Sequence, residues 1–261
     1  MQPFYFTTSW DDGSADDLRV AELLAKHNLK GTFYIPIEFP FVKGKYSAYK
    51  KLTPADLQRL ARMQEIGSHS YTHRRLDQLS SPELAHEVGD SKYELETTIG
   101  RPISLFCYPQ GFLSDTVVAA TREAGYAGGR TTQNFAFQLP TDPYRIPVTL
   151  RIGSYPFRKT DTTHWYWRHL LQPLFGYRKQ FVKHPSWLAA SYSWQSFARA
   201  IFMYAHGHGN YFHLYGHSWE IEKYGLWKDL DSFLGFVQQQ KTISAITNGE
   251  IVDLIQRNTT P

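Results

Sequence analysis

The chain has 261 residues, which is enough for one large domain with a sizeable hydrophobic core. Its 28 basic and 24 acidic side chains leave a formal net charge of +4, which is too small an excess for a strongly basic arm that binds nucleic acid. The only cysteine, Cys107, excludes an intrachain disulfide, and no apolar run is long enough to predict a membrane-spanning helix.

Strand and helix patterns alternate along the first half of the chain. Strand-forming segments lie at 3–9, 31–37, 66–70 and 103–108. Capping residues and helical spacing predict helices between and after them, at 14–28 (capped by Ser14), 53–65, 81–100 and 114–125. Each predicted strand is thus followed by a helix, which is the order typical of a parallel sheet with helices outside.

The second half continues this alternation after a break. Residues 145–151 are predicted to be extended, and 154–192 are aromatic and basic without a clean period. Beyond them we predict helix 193–206, strand 210–216, helix 226–239, strand 241–246 and a last helix that begins with the Thr247–Glu250 capping box. Seven or so strand–helix units favour a closed α/β barrel. We therefore predict one domain over 1–261 with an insertion at about 154–200.

The segment SHSYTH, residues 68–73, carries two histidines four residues apart. His69 follows a short predicted strand, so the pair would lie at the carboxyl end of that strand, where α/β barrels hold their active sites. Neutral imidazole is the most common metal ligand in proteins. His69 and His73 are therefore candidate metal ligands, although two loop histidines that bind nothing would show the same pattern.

The segment WDDG, residues 10–13, directly follows the first predicted strand. Adjacent acids in such a position are commonly turn residues that cap the next helix. Alternatively, Asp12 supplies a carboxylate to the two histidines, and Asp11 stands free as a base beside the ion. Three protein ligands with positions open to water are typical of catalytic metal sites, and a nearby carboxylate can take a proton from the water.

TSWDDG followed by SHSYTH resembles the first two motifs of the polysaccharide deacetylases, carbohydrate esterase family 4, in order and in separation. The resemblance implies a distorted (β/α)7 barrel that removes N-acetyl groups from amino sugars with a metal ion. It further implies that Asp11 is the general base and that Asp12, His69 and His73 are the metal ligands. Two imidazoles and one carboxylate suit zinc best, and cobalt, nickel, manganese and iron stay open.

The third motif of the family is altered in this chain. In FCYPQG, residues 106–111, Cys107 stands where the family has an arginine, and Gln110 stands where it has a tyrosine. The backbone N–H of Gln110 could still contact an oxyanion, because such a contact needs no side chain. Arg130, at a predicted strand end, is the favoured replacement for the arginine, with Arg145 as the alternative. The fourth motif, an Asp-Trp pair, has no clear counterpart.

The strand in YFHLYGHSWE, residues 211–220, offers two candidates for the general acid that the resemblance implies. His213 and His217 have the same parity, so both would point to one side of an extended strand. His217 lies nearer the carboxyl end, and we predict that it protonates the leaving amine, with His213 as a buried supporting or core histidine. Glu220 could orient His217 or be a solvated loop carboxylate, and Trp219 could either flank a sugar ring or pack in the core.

The first function hypothesis is a metal-dependent deacetylase of an N-acetylated saccharide. The start, MQPFYFTTSW, lacks the pattern of a secretory signal, which predicts a cytoplasmic enzyme of surface-polysaccharide synthesis. The aromatic and basic insertion could form a carbohydrate platform, contact a membrane surface peripherally or build the core of a lid.

Two other functions stay open. A C–N hydrolase of a non-sugar amide or cyclic imide would share the fold and often departs from the third and fourth motifs. A catalytically silent, saccharide-binding barrel would explain Cys107 and Gln110. The presence of Asp11 beside Asp12, His69 and His73 argues against a silent barrel, because a pure binder needs no free base beside an ion.

Overall fold

A computed structural model describes residues 3–38, 50–153, 177–240 and 242–259. Strands in these ranges pair in parallel throughout. They are β1 (Phe4–Asp11), β2 (Thr32–Ile35), β3 (Glu65–Ser68), β4 (Leu105–Cys107), β5 (Gly128–Arg130), β6 (Leu150–Arg151), β7 (Tyr211–Gly216) and β8 (Ile243–Ala245). The α/β class that the sequence predicts is confirmed.

Helices pack outside the sheet. Their bounds are α1 (Asp17–Lys26), α2 (Pro54–Met63), α3 (Ser81–Ala85), α4 (Ser91–Ile99), α5 (Asp115–Glu123), α6 (Pro185–Ala190), α7 (Trp194–His208), α8 (Ser218–Tyr224), α9 (Trp227–Gln238) and α10 (Asn248–Thr259). Residues 177–183 are helical as well. No helix among the described residues is long and apolar enough to cross a membrane.

Local capping chemistry explains where several helices begin. Thr53 and Asp56 form both arms of a capping box at α2, and the Ser114 hydroxyl accepts a hydrogen bond from Val117 at α5. The expected start of the first helix at Ser14 is wrong, because the turn after β1 continues and α1 begins only at Asp17.

The sheet curls until its two ends meet. Its strand order is β5-β4-β3-β2-β1-β7-β6, with β8 beside the first residues of β1. A parallel bridge between Arg130 and Ile146 joins the chain just before β6 to the end of β5. The carboxyl ends of the strands therefore surround one common opening, as in other α/β barrels.

Side chains of β1 alternate between two environments. Phe6 faces outward, where it packs on Phe202 of α7 and on Phe212 of β7 in an aromatic layer under the helices. Thr7, Ser9 and Asp11, on the other face, are buried and polar. Burial on both faces explains why the strand reads FYFTTSWD, with hydroxyls and a carboxylate directed into the barrel.

Two features differ from the sequence prediction. The helix α8 has no strong local pattern and is not predicted, and the short, glycine-rich strand β5 is predicted only through its end at Arg130. The predicted helix over 81–100 contains a π-helical turn at His86–Asp90 between α3 and α4. The proposed insertion is described only from residue 177 onward, where α6 and the start of α7 lie, and its residues 154–176 are outside the described ranges.

Candidate metal centre

Asp12 lies in the turn that follows β1. Its φ is 79° and that of Gly13 is 66°, so two successive left-handed residues turn the chain at the mouth of the barrel. The Oδ1 atom of Asp12 lies 3.4 Å from Nε2 of His73 and 3.8 Å from Nε2 of His69. The three candidate ligand atoms all lie within 4.8 Å of one another.

His69 is oriented by the neighbouring strand. Its Nδ1 lies 2.9 Å from the carbonyl oxygen of Cys107, and a carbonyl can only accept, so Nδ1 carries the proton. The Nε2 lone pair is then free on the side of Asp12. Burial, partly opposed by the charge of Asp11, lowers the pKa of His69 to about 4, which keeps the ring in the neutral form that binds metals.

His73 is presented by a tight loop after β3. Ser70 and His73 both have positive φ, and the Ser70 hydroxyl accepts a hydrogen bond from the His73 N–H at 3.0 Å. The buried Glu87 carboxylate accepts hydrogen bonds from the N–H groups of Tyr71 and Thr72, at 3.0 and 2.9 Å. Hydrogen bonds to Ser70 and Glu87 thus fix the loop, and both imidazoles are directed at Oδ1 of Asp12.

This group of residues fits a divalent cation. Asp12 is 2% exposed, and its Oδ1 has no hydrogen-bond partner among the described residues, which is costly for a buried carboxylate oxygen. A cation bound between that oxygen and the two imidazole nitrogens would remove this cost. One carboxylate oxygen and two imidazoles form a donor set of the kind that binds zinc and other first-row metals.

Asp11 pairs with Arg130 inside the barrel. Nη2 of Arg130 donates to Oδ1 of Asp11, and the guanidinium lies over the rings of Tyr34 and Tyr215, at 5.2 and 5.1 Å from their centroids. Burial raises the pKa of Asp11, but electrostatic interactions with Arg130, His69 and His217, together with the hydrogen bond from Arg130, outweigh burial and lower this pKa to about 2. Asp11 is therefore ionised over the whole physiological range.

Cys107 occupies the position of the arginine expected in the third motif but does not form an ion pair with Asp11. Its Sγ lies 4.0 Å from Oδ2 of Asp11 and is fully buried. The guanidinium beside Asp11 comes instead from Arg130, on a different strand. Arg145 lies on the surface, paired with Asp115 and Asp142.

His217 adjoins Asp12 from the opposite side. Its Nε2 lies 3.8 Å from Oδ2 of Asp12, and its Nδ1 lies 3.1 Å from Oε2 of Glu220. Arg151 forms an ion pair with the same Glu220 oxygen. Burial lowers the pKa of His217, but the carboxylates of Asp12 and Glu220 more than compensate and raise it above the usual value.

The other histidine of this strand lies elsewhere. His213 is fully buried, with Nε2 2.8 Å from the Ser9 hydroxyl and Nδ1 2.9 Å from that of Tyr211. Its neighbours are therefore residues of the barrel interior, whereas His217 contacts the candidate metal ligands. Gln110 is exposed at a positive φ in the short turn after β4.

Three residues of the site gave little signal in the sequence. Arg151 and Glu87 are not singled out by any local pattern, because each acts on a partner at least 15 residues away. The sequence predicts a sugar platform or core packing for Trp219, yet its indole nitrogen donates to Oδ2 of Asp12 at 3.0 Å. Such contacts follow from tertiary placement rather than from spacing.

Comparison with known proteins gives a consistent pattern. The sequence model described as polysaccharide deacetylase matches residues 3–129. The peptidoglycan-N-acetylglucosamine deacetylase of Bacillus cereus is 28% identical over 120 residues, which are 45% of this chain and 52% of that protein. The chain covers between 36% and 52% of the length of the curated relatives that it matches.

Two solved structures share the fold over almost the whole chain. A Mycobacterium smegmatis protein, proposed as a polysaccharide deacetylase, has a TM-score of 0.69 and 13% identity, covering 99% of this chain and 92% of that chain. A family 4 acetyl xylan esterase from Clostridium thermocellum, solved with a cobalt ion, has a TM-score of 0.58 and 15% identity, covering 96% of this chain and 91% of that chain. The structural match therefore extends beyond the first half, where the sequence match ends.

Proposed function

This chain belongs to the polysaccharide deacetylase family over residues 3–129, and from that premise we propose that the protein is a metal-dependent deacetylase. The proposed reaction is the hydrolysis of an N-acetyl group on an amino sugar, in a saccharide or surface-polysaccharide precursor. The observation that carries the proposal is the convergence of Asp12, His69 and His73, with Asp11 and His217 beside them.

Asp11 is suited to the role of general base. It is ionised, adjacent in sequence to the proposed ligand Asp12, and held in position by Arg130. A bound divalent metal would supply Lewis acidity, making a water molecule easier to deprotonate and the amide carbonyl easier to attack. Asp11 would accept the proton of that water, which is what a carboxylate with a fixed orientation can do.

His217 is suited to the role of general acid. Its Nδ1 donates to the carboxylate of Glu220, so the mobile proton of the imidazolium resides on Nε2. The hydrogen bond from His217 and the charge of Arg151 outweigh burial and keep Glu220 ionised, and this carboxylate favours the protonated form of His217. His217 would therefore protonate the amine as the C–N bond breaks.

A cavity beside the turn after β4 has several polar side chains that could bind a hydrophilic substrate. Its volume is about 690 Å³, and residues that follow β4 and β5 line it, including Gly111, Ser114, Thr131, Thr132 and Gln133. Hydroxyl and carboxamide groups of this kind form hydrogen bonds with sugar hydroxyls. Gly111, which lines the cavity, directly follows Gln110, whose backbone N–H we propose as an oxyanion contact.

The test is acetate release from N-acetylated amino-sugar oligomers and from lipid- or nucleotide-linked intermediates. We expect metal-dependent release by the wild type and loss of both metal and activity in His69→Ala/His73→Ala. The double variant His206→Ala/His208→Ala, near the opposite end of β7, is the matched control and should retain both. Activity that survives the loss of His69 and His73 would refute the mechanism, and turnover of imides but not of sugars would replace the substrate class.

A further inference from the structure

The two oxygens of the Asp12 carboxylate have different surroundings. Oδ2 accepts a hydrogen bond from the indole N–H of Trp219 at 3.0 Å and lies 3.8 Å from Nε2 of His217. Oδ1 has no hydrogen-bond partner among the described residues and lies nearest to His69 and His73. Oδ2 therefore lies beside His217, the proposed general acid, and Oδ1 is left for a cation.

From this asymmetry we infer that Trp219 is a positioning residue for the metal centre, an inference that rests on the proposed function. Its N–H holds Oδ2 and so directs Oδ1 at the space between the two imidazoles. Groups that hydrogen-bond to metal ligands orient those ligands, and their removal typically weakens metal binding about 10- to 100-fold. Trp219 thus acts on the ion through Asp12.

The chemistry of an indole suits this role. Its N–H can donate but cannot accept, and it carries no charge, so it orients a carboxylate without neutralising it. A lysine or arginine at the same place would compete with the cation for the negative charge of Asp12. The indole therefore leaves the full charge of the ligand available.

The placement of Trp219 also argues against a role as an exposed sugar platform. Its side chain belongs to the buried part of the protein, with 7% of the residue exposed. Trp219 lies in the first turn of α8, two residues after His217, and the rings of the two residues are 5.7 Å apart. A single turn therefore carries both the proposed acid and the donor that orients Asp12.

The test compares metal affinity in two tryptophan variants. Trp219→Phe removes the N–H and keeps an aromatic ring, whereas Trp227→Phe removes an indole N–H that donates to Glu222 at 2.6 Å, on a carboxylate that is not a candidate ligand. Affinities are measured by titration with Co²⁺ and with Zn²⁺ in competition with a chelator. We expect Trp219→Phe to bind each ion about 10- to 100-fold more weakly and Trp227→Phe to bind it like the wild type.

Each outcome decides a separate question. Equal affinity of Trp219→Phe and the wild type would overturn the inference while leaving the proposed function intact. Failure of the wild type itself to bind either ion would overturn the proposed function. If Trp219→Phe does not fold, 3-benzothienylalanine at position 219 keeps the two-ring shape without the N–H, and its affinity decides in the same way.

Discussion

At the scale of single residues, the buried charge of Arg130 has a carboxylate partner. Arg130 is fully buried and Asp11 is 3% exposed, and each is the other's main electrostatic partner. The remaining nitrogens of Arg130, Nε and Nη1, have no hydrogen-bond partner among the described residues, so the guanidinium depends on Asp11 and on the faces of two tyrosine rings. Such a pair is costly to break, because one charge would remain buried alone.

This dependence predicts a large effect for Arg130→Met. Removing one partner of a buried ion pair should lower the free energy of unfolding by about 3–5 kcal/mol and should raise the pKa of Asp11. Arg145→Met is the matched control, since Arg145 pairs with two acids on the surface and should cost about 0–1 kcal/mol. Denaturant unfolding of both variants measures the difference. Equal losses would show that the buried pair contributes no more than a surface pair.

His213 predicts a pH dependence of stability. Burial and the charge of Arg130 lower its pKa to about 3, compared with 6.5 in the unfolded chain. Between these two values the unfolded state binds one more proton at this site, so stability is complete above about pH 6.5 and decreases as the pH falls toward 3. Replacement by Gln should remove up to one proton from the pH slope, about 1.4 kcal/mol per pH unit.

Unfolding free energies of the wild type and His213→Gln at pH 4 to 6 measure this slope. The same comparison at pH 7 to 9 is the internal control, because His213 is neutral in both states there. Parallel curves for the two proteins over the acidic range would contradict the prediction.

At the scale of elements, the histidine loop depends on the π-helical turn opposite it. Glu87, within that turn, is 1% exposed and accepts hydrogen bonds from two successive N–H groups of the loop and from the Thr72 hydroxyl. Glu87 is the acceptor for all three donors, and these hydrogen bonds hold the loop between the two histidines in place. The geometry of the candidate metal centre is thus set partly by an element that contributes no candidate ligand.

Glu87→Ala should therefore weaken metal binding as well as stability. Leaving a buried donor unsatisfied costs about 1–3 kcal/mol, and the loosened loop would direct His73 less well. Glu87→Gln keeps an acceptor oxygen and should lose less of both. Denaturant unfolding and Co²⁺ titration of the two variants provide the measurement. Wild-type affinity in Glu87→Ala would mean that the loop is held by other contacts.

At the scale of the whole molecule, closure of the sheet assembles the site. In the strand order, β5 is four steps from β1, which would separate the strands by about 19 Å in a flat sheet with about 4.8 Å between neighbours. Yet Arg130 of β5 pairs directly with Asp11 of β1, 119 positions earlier in the chain. Only a curled sheet brings these two side chains together. The proposed base, ligands and acid lie at the ends of strands that are far apart in sequence and share one opening.

The sequence alone determined the alternation of strands and helices, several capped helix starts, and the two segments that supply Asp11, Asp12, His69 and His73. These features depend on residues within a few positions of one another, whose propensities and spacing are visible in the chain. The helix α8 lacks such a local pattern, and β5 is predicted only through its end at Arg130.

Tertiary structure alone decided which candidates meet. It separated His217 from His213, paired Arg130 rather than Arg145 with Asp11, and placed the Trp219 N–H on Asp12. Each of these contacts joins residues more than 100 positions apart, or depends on where a strand ends relative to its neighbours. The physical reason is that burial and electrostatic partnership are properties of the closed barrel, whereas local propensity is a property of the chain.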